Sequence, residues 1–80
     1  MREVVLYTKP GCCLCDDAKE ALRAARAQVE FTVREVDIES DRKLYETHRN
    51  DIPVIEIDGR RAFKHRVTAQ MLVERLSRFA

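Results

Sequence analysis

No apolar run in this chain exceeds four residues, as at Val4-Val5-Leu6-Tyr7, whereas a helix crossing a bilayer needs about 20. A transmembrane helix is therefore excluded. Charge of one sign is missing too: 15 basic side chains against 14 acidic ones leave +1, so no net field draws the chain to nucleic acid or anionic lipid. Neither nucleic acid nor a membrane is expected as a partner. Arg2, Glu3 and Thr8 leave no apolar stretch for a secretory leader, which makes a cytoplasmic location the expectation. Three cysteines are too few for a disulfide framework. At 80 residues the chain lacks room for a second domain, and it shows no linker, repeat or low-complexity segment. What is present, 45% apolar and 36% charged residues, is the composition of a folded chain, read here as one domain over 1–80.

The pattern of elements follows from periodicity. Residues 3–8 carry apolar side chains on both faces, as a central strand covered on both sides by helices does. Over 13–28, Leu14, Ala18, Ala21, Leu22, Ala25 and Val29 form one helical stripe, with Asp16, Lys19, Glu20, Arg23 and Arg26 on the other face. From 30 to 38 the alternation at Phe31 and Val33 slips to Val36 and Ile38, which predicts a strand with a bulge or an early end. Ser40 or Asp41 caps a short helix over about 41–49 that buries Leu44, Tyr45 and His48. Ile52-Pro53 precedes Val54-Ile55-Glu56-Ile57, and Asp58-Gly59 is a two-residue hairpin turn leading into Arg61–His65. Thr68 caps a last helix with Leu72, Leu76 and Phe79 on one face and Arg75 and Arg78 in its final turns. The order βαβαββα predicts an α/β three-layer sandwich whose four-stranded mixed sheet has the order 2-1-3-4.

The cysteines are not scattered: Cys12, Cys13 and Cys15 fall within four residues, at the start of the first helix. A sulfur at that position faces the free N–H groups of the first turn, whose partial positive charge favours thiolate over thiol. Lys9 adds to the effect, and Asp16 and Asp17 oppose it. Adjacent Cα atoms lie about 3.8 Å apart, below the roughly 4.4–6.8 Å span of ordinary disulfides, so Cys12 and Cys13 do not pair without strain. Cys13 and Cys15 point to different sides of the helix, while Cys12 and Cys15 share one face. That leaves Cys12–Cys15 as the redox pair. A structural zinc half-site would need two further ligands, and His48 and His65 have sixteen residues between them, not the three to five of a zinc finger. No metal ligand set is expected.

By its motifs the chain resembles the glutaredoxin family of the thioredoxin fold. Tyr7-Thr8-Lys9-Pro10-Gly11-Cys12-Cys13-Leu14-Cys15 is similar to the family's segment leading into Cys-Pro-Tyr-Cys, and Ile52-Pro53-Val54 with Asp58-Gly59 is similar to its cis-proline loop and hairpin. The resemblance implies thiol–disulfide exchange, with Cys12 as the nucleophile and Cys15 as the resolving thiol. It also implies a cis Ile52–Pro53 bond opposite the sulfurs that offers the Ile52 backbone to an extended substrate. Lys9, Cys13, Leu14, Ile52 and Pro53 are the expected substrate contacts. Two departures stand out. The interior of the Cys-x-x-Cys motif is Cys13-Leu14 rather than Pro-Tyr, and the Gly-Gly-x-Asp stretch that grips the glutathione carboxylate is replaced by Phe63-Lys64-His65-Arg66-Val67-Thr68. Arg66 or the helix start at Thr68 is then the candidate carboxylate site, although Arg60, Arg61, Lys64 and Arg66 also serve to protect an edge strand from pairing.

The expected function is that of a dithiol–disulfide oxidoreductase acting, as a monomer, on proteins with disulfides or on mixed disulfides. No bound cofactor is expected; glutathione, or thioredoxin reductase drawing on NADPH, is the expected electron source. An alternative of a different class is a carrier or sensor for Cu(I) or an Fe–S cluster that uses Cys12, Cys13 and Cys15. A third is an adaptor with the fold and little turnover.

Overall fold

The structure, a computed structural model, describes residues 2–77. Eight elements follow in order: β1 (Arg2–Thr8), α1 (Cys13–Arg26), β2 (Phe31–Asp37), a 3-10 turn (Ile38–Ser40), α2 (Arg42–His48), β3 (Val54–Ile57), β4 (Arg60–Lys64) and α3 (Ala69–Ser77). The sheet has the order β2-β1-β3-β4, with β1 and β2 parallel and the β1–β3 and β3–β4 pairs antiparallel.

Alternation along β1 divides the interior. Val4 and Leu6 join Ala18, Ala21, Leu22 and Ala25 of α1, Phe31 of β2, Ile55 and Ile57 of β3, and Leu72 and Leu76 of α3 in the main core. Tyr7 points to the other face and meets a second cluster of Cys15, Ile38 and Ile52, onto which Leu44 and Tyr45 of α2 pack. The three layers are thus α1 with α3, the sheet, and α2. Leu14 is only half-buried, and the innermost place in the first turn of α1 belongs to Cys15. The predicted stripe is therefore displaced by one residue at its start.

The bulge expected in β2 is absent. Seven consecutive residues pair with β1, from Arg2↔Phe31 to Thr8↔Asp37. The slip from Val33 to Val36 is a change of face along a straight strand, since both faces of this sheet carry helices. An extra residue sits in β4 instead: Ile55 pairs with Phe63 and Glu56 with Arg61, leaving Ala62 between them. The hairpin itself is as tight as the dipeptide implies. Asp58 and Gly59 both have positive φ, 52° and 85°, as a type I′ turn requires. Its tip is tied to β1, where the Asp58 carboxylate accepts from the Glu3 N–H at 3.0 Å and pairs with Arg2. These contacts, the Glu3 N–H first, hold the Asp58 carboxyl below the usual carboxylate range.

Asp41 caps α2 by accepting from the N–H groups of Lys43 and Leu44 at 2.8 and 3.3 Å. Thr68 Oγ1 caps α3 by accepting from the Met71 N–H at 3.1 Å. Phe79 and Arg78, expected on α3, lie outside the described residues. Among the described residues no helix is long and apolar enough to cross a membrane.

Candidate active site

The strand–loop–helix connection after β1 places the thiols. Gly11 adopts φ 79°, a left-handed conformation that glycine takes without penalty, and turns the loop into α1. Cys12 follows in extended geometry (φ −92°, ψ 112°) as the N-cap, and its sulfur accepts a hydrogen bond from the Cys15 N–H at 3.3 Å. A sulfur thus occupies the place where a serine or aspartate oxygen normally satisfies a first-turn amide. All three cysteines are free thiols, and they differ in exposure: Cys13 is exposed, Cys12 half-buried, and Cys15 only 1% exposed.

Burial is the chief reason that the Cys15 thiol is pushed up in pKa, and its hydrogen bond to the Cys12 sulfur adds to this. The Thr8 hydroxyl and the Lys9 backbone N–H work in the opposite direction. The geometry therefore has one accessible sulfur at a helix N-terminus and a second, protonated and enclosed, directly behind it.

The structure brings Ile52 to this pair. Ile52 lies in the same buried cluster as Cys15, and Cys12 packs against that cluster. Pro53 is fully buried, and the Ile52–Pro53 bond is cis. The Ile52 N–H donates to the His48 carbonyl at 3.1 Å. The backbone pairing implied by the resemblance therefore lacks its Ile52 donor in this state. Leu14 is half-buried in the first turn. Lys9, with Thr8, Pro10, Gly11, Asp16, Lys19, Glu35 and Asp37, lines a cavity of about 390 Å³ on the β2 side of the loop.

Two features were not found from the sequence. His65 takes φ 66° and ties the segment after β4 to the proline loop: its N–H donates to the Pro53 carbonyl at 2.9 Å, and its Nε2 lies 3.0 Å from the Asn50 carbonyl oxygen. The clue was available, because a left-handed residue now stands where the glutaredoxin pattern has glycines. The second is an aromatic stack of Tyr7 on His48, with centroids 4.4 Å apart. Tyr7 donates its hydroxyl to Glu56 at 3.1 Å, and burial together with the Glu56 charge pushes its pKa up. Tyr7 remains a neutral wall of the Cys15 cluster. Among the described residues no three His, Cys, Asp or Glu side chains converge as a metal's ligands do.

A sheet of order 2-1-3-4 between α1 and α3 on one face and α2 on the other, with a cysteine capping the helix after β1, is a thioredoxin-like fold carrying a Cys-x-x-Cys site. Residues 3–77 match the family described as Glutaredoxin-like domain (DUF836), and the chain belongs to this family. It is 38% identical over 72 residues to the glutaredoxin-like protein YDR286C homolog of Dictyostelium discoideum, covering 82% of this chain and 67% of that one. Among solved structures, the X-ray structure of target protein XcR50 from X. campestris superposes with a TM-score of 0.77 at 33% identity, covering 94% of this chain and 96% of that one. The solution structure of Ne2328 from Nitrosomonas europaea reaches 0.80 at 19% identity, over 94% and 91% of the two chains, a likeness of fold alone.

Proposed function

We propose that this protein is a dithiol–disulfide oxidoreductase of the cytoplasm that reduces protein or mixed disulfides, with Cys12 as the nucleophile and Cys15 as the resolving thiol. The observation that carries the reading is the N-cap geometry, in which the half-buried Cys12 sulfur accepts the Cys15 N–H while Cys15 lies buried behind it. In the first step the Cys12 thiolate attacks a substrate disulfide R–S–S–R′. A new S–S bond forms between Cys12 and the RS group, the RS–SR′ bond breaks, and R′S⁻ leaves to take a proton from water. Cys15 then gives up its proton, which ends on the departing RS⁻, as its sulfur attacks the Cys12 sulfur, forming the Cys12–Cys15 disulfide and releasing RSH. Two electrons have passed from the protein to the substrate, and an external reductant restores the dithiol.

The electron donor is proposed to be a flavoprotein reductase of the thioredoxin reductase type rather than glutathione. The segment after β4 lacks the Gly-Gly-x-Asp contact, and the hydrogen bonds of its His65 go to the proline loop. A missing charge-assisted contact costs about 1.5–3 kcal/mol, or roughly one to two decades in affinity. Leu14, exposed Cys13 and the rim of the Ile52 cluster form the surface on which a protein partner would dock.

The test is turnover of insulin or a small mixed disulfide by the metal-free protein, recycled either by thioredoxin reductase with NADPH or by glutathione with its reductase. Turnover with the first system, and at least tenfold less with the second, is expected. Efficient glutathione coupling that survives Lys9→Ala and Arg66→Ala would reverse the donor assignment. No turnover with either donor, together with stoichiometric Cu(I) or Fe–S binding, would favour the carrier reading.

A further inference from the structure

Residues 59–73 run from the hairpin turn through β4 into α3, and they carry four cations, Arg60, Arg61, Lys64 and Arg66, with no acid. β4 is an edge strand that pairs only with β3. At the opposite edge, β2 and the residues flanking it, 30–41, carry five acids against the single Arg34. The net charge of +1 is therefore the sum of two edges of opposite sign.

The basic strip ends at the dithiol. The His65 N–H donates to the carbonyls of Pro53 and Asp51 at 2.9 and 3.3 Å, and its Nε2 lies 3.0 Å from the Asn50 carbonyl oxygen. These contacts bring the strip against the end of α2, where the exposed Arg49 extends it. Ile52, between Asp51 and Pro53, belongs to the cluster of Cys15 on which Cys12 packs. The acids next to the strip are already engaged. Asp51 lies 3.8 Å from both Arg61 and His65, and Glu56 accepts from the Tyr7 hydroxyl at 3.1 Å. Arg49, Lys64 and Arg66 are exposed, and among the described residues their side chains make no ion pair or hydrogen bond.

Charge on an edge strand deters pairing with another chain. That role asks neither for an absence of acids on into α3 nor for a cation of α2 at the end of the strip. A surface of one sign beside a reactive group does more: it raises the local concentration of reactants of opposite charge and orients them. We propose that the substrates of this dithiol are proteins whose disulfide is flanked by acidic residues, which Arg49, Lys64 and Arg66 draw in and orient toward Cys12. The inference rests on the dithiol reading above and deepens it by naming the substrate class. A short acidic segment meets the basic edge alone, whereas a long polyanion such as RNA also meets the acidic one. Phe63 of the strip offers no stacking face to a base, because it is half-buried and the Arg75 guanidinium lies over its ring, 5.9 Å from the centroid.

The test mixes pre-reduced protein, freed of reductant, with two synthetic peptides that share one disulfide ring and differ in the flanking residues, glutamates in one and lysines in the other. Bis(2-hydroxyethyl) disulfide, which is uncharged, is the reference, and each peptide rate is divided by the rate with it, so that damage to the dithiol itself cancels. In dilute buffer the acidic peptide is expected to react at least about tenfold faster than the basic one. In about 1 M salt, where the screening length is about 3 Å, the two rates should agree within about twofold. Lys64→Glu should cut the preference at least about threefold, and adding Arg49→Glu should abolish it. Arg26→Glu, an equal change of net charge in the last turn of α1, should retain it. Equal rates for the two peptides in dilute buffer would overturn the proposal, and binding of a single-stranded RNA that Lys64→Glu abolishes would then assign the strip to nucleic acid. A loss in Arg26→Glu as large as in Lys64→Glu would also overturn it, since net charge and not the strip would set the preference. Failure to reduce the uncharged disulfide and both peptides contradicts the dithiol reading itself, and this inference falls with it.

Discussion

Cys12→Ser is expected to lower disulfide turnover to the uncatalysed background while leaving the fold intact. The sulfur of Cys12 is the accessible member of the pair, and exchange requires a thiolate, which a hydroxyl at neutral pH does not replace. The same substitution is benign for structure. Cys12 caps α1 through its side chain, and serine is among the preferred N-cap residues, so the cap to the Cys15 N–H persists. Thermal unfolding should accordingly be unchanged or slightly raised, which separates lost chemistry from lost structure. Cys15→Ser should behave differently: it retains attack and accumulates a mixed disulfide between Cys12 and substrate, visible as a mass adduct. An inactive Cys15→Ser protein with no adduct, beside a Cys12→Ser protein that traps substrate, would exchange the two roles.

Leu6→Ala is expected to cost about 2–5 kcal/mol, the largest stability change proposed for this chain. Leu6 lies in β1, paired with Glu35 of β2 and Ile55 of β3, and its side chain is fully buried in the core shared by the sheet, α1 and α3. Small domains have total stabilities of roughly 5–15 kcal/mol, so this loss removes a large part of the margin. Each kcal/mol corresponds to about 4–8 °C in the melting temperature of a domain of this size. Arg42→Ala provides the contrast. Its pair with Glu46 at 3.4 Å is solvent-exposed and contributes about 0.3–0.5 kcal/mol. Circular dichroism melts of the two variants decide the matter. A Leu6→Ala change as small as that of Arg42→Ala would show that the core is not centred on β1.

Much of this architecture was legible because local chemistry and tertiary role coincide. The Asp58-Gly59 dipeptide specifies its turn through two residues of positive φ. The stripe of α1 from Ala18 to Ala25 buries as its spacing implies, and Asp41 and Thr68 cap the helices that they precede. Cys12 was readable as an N-cap for the same reason, since its place relative to the apolar stripe fixes the first helical turn.

Other features depend on which surfaces meet across the fold. Val36 looks out of phase only if β2 has one covered face; with helices on both sides of the sheet, no inserted residue is needed. The extra residue at Ala62 has no signature in its own segment, because it arises from pairing with β3. The commitment of the Ile52 N–H to His48 joins the end of α2 to the proline loop, a contact that spacing alone does not show.

The central claim, that Cys12 and Cys15 form the working dithiol and Cys13 stands outside it, is tested most directly by mild oxidation, alkylation of the remaining thiol and peptide mapping. The expected product is one intramolecular disulfide between Cys12 and Cys15 with the label on Cys13, the exposed thiol whose neighbouring Cα lies too close to Cys12 for an unstrained bond. A dominant disulfide that contains Cys13, with Cys12 or Cys15 carrying the label, would contradict the account.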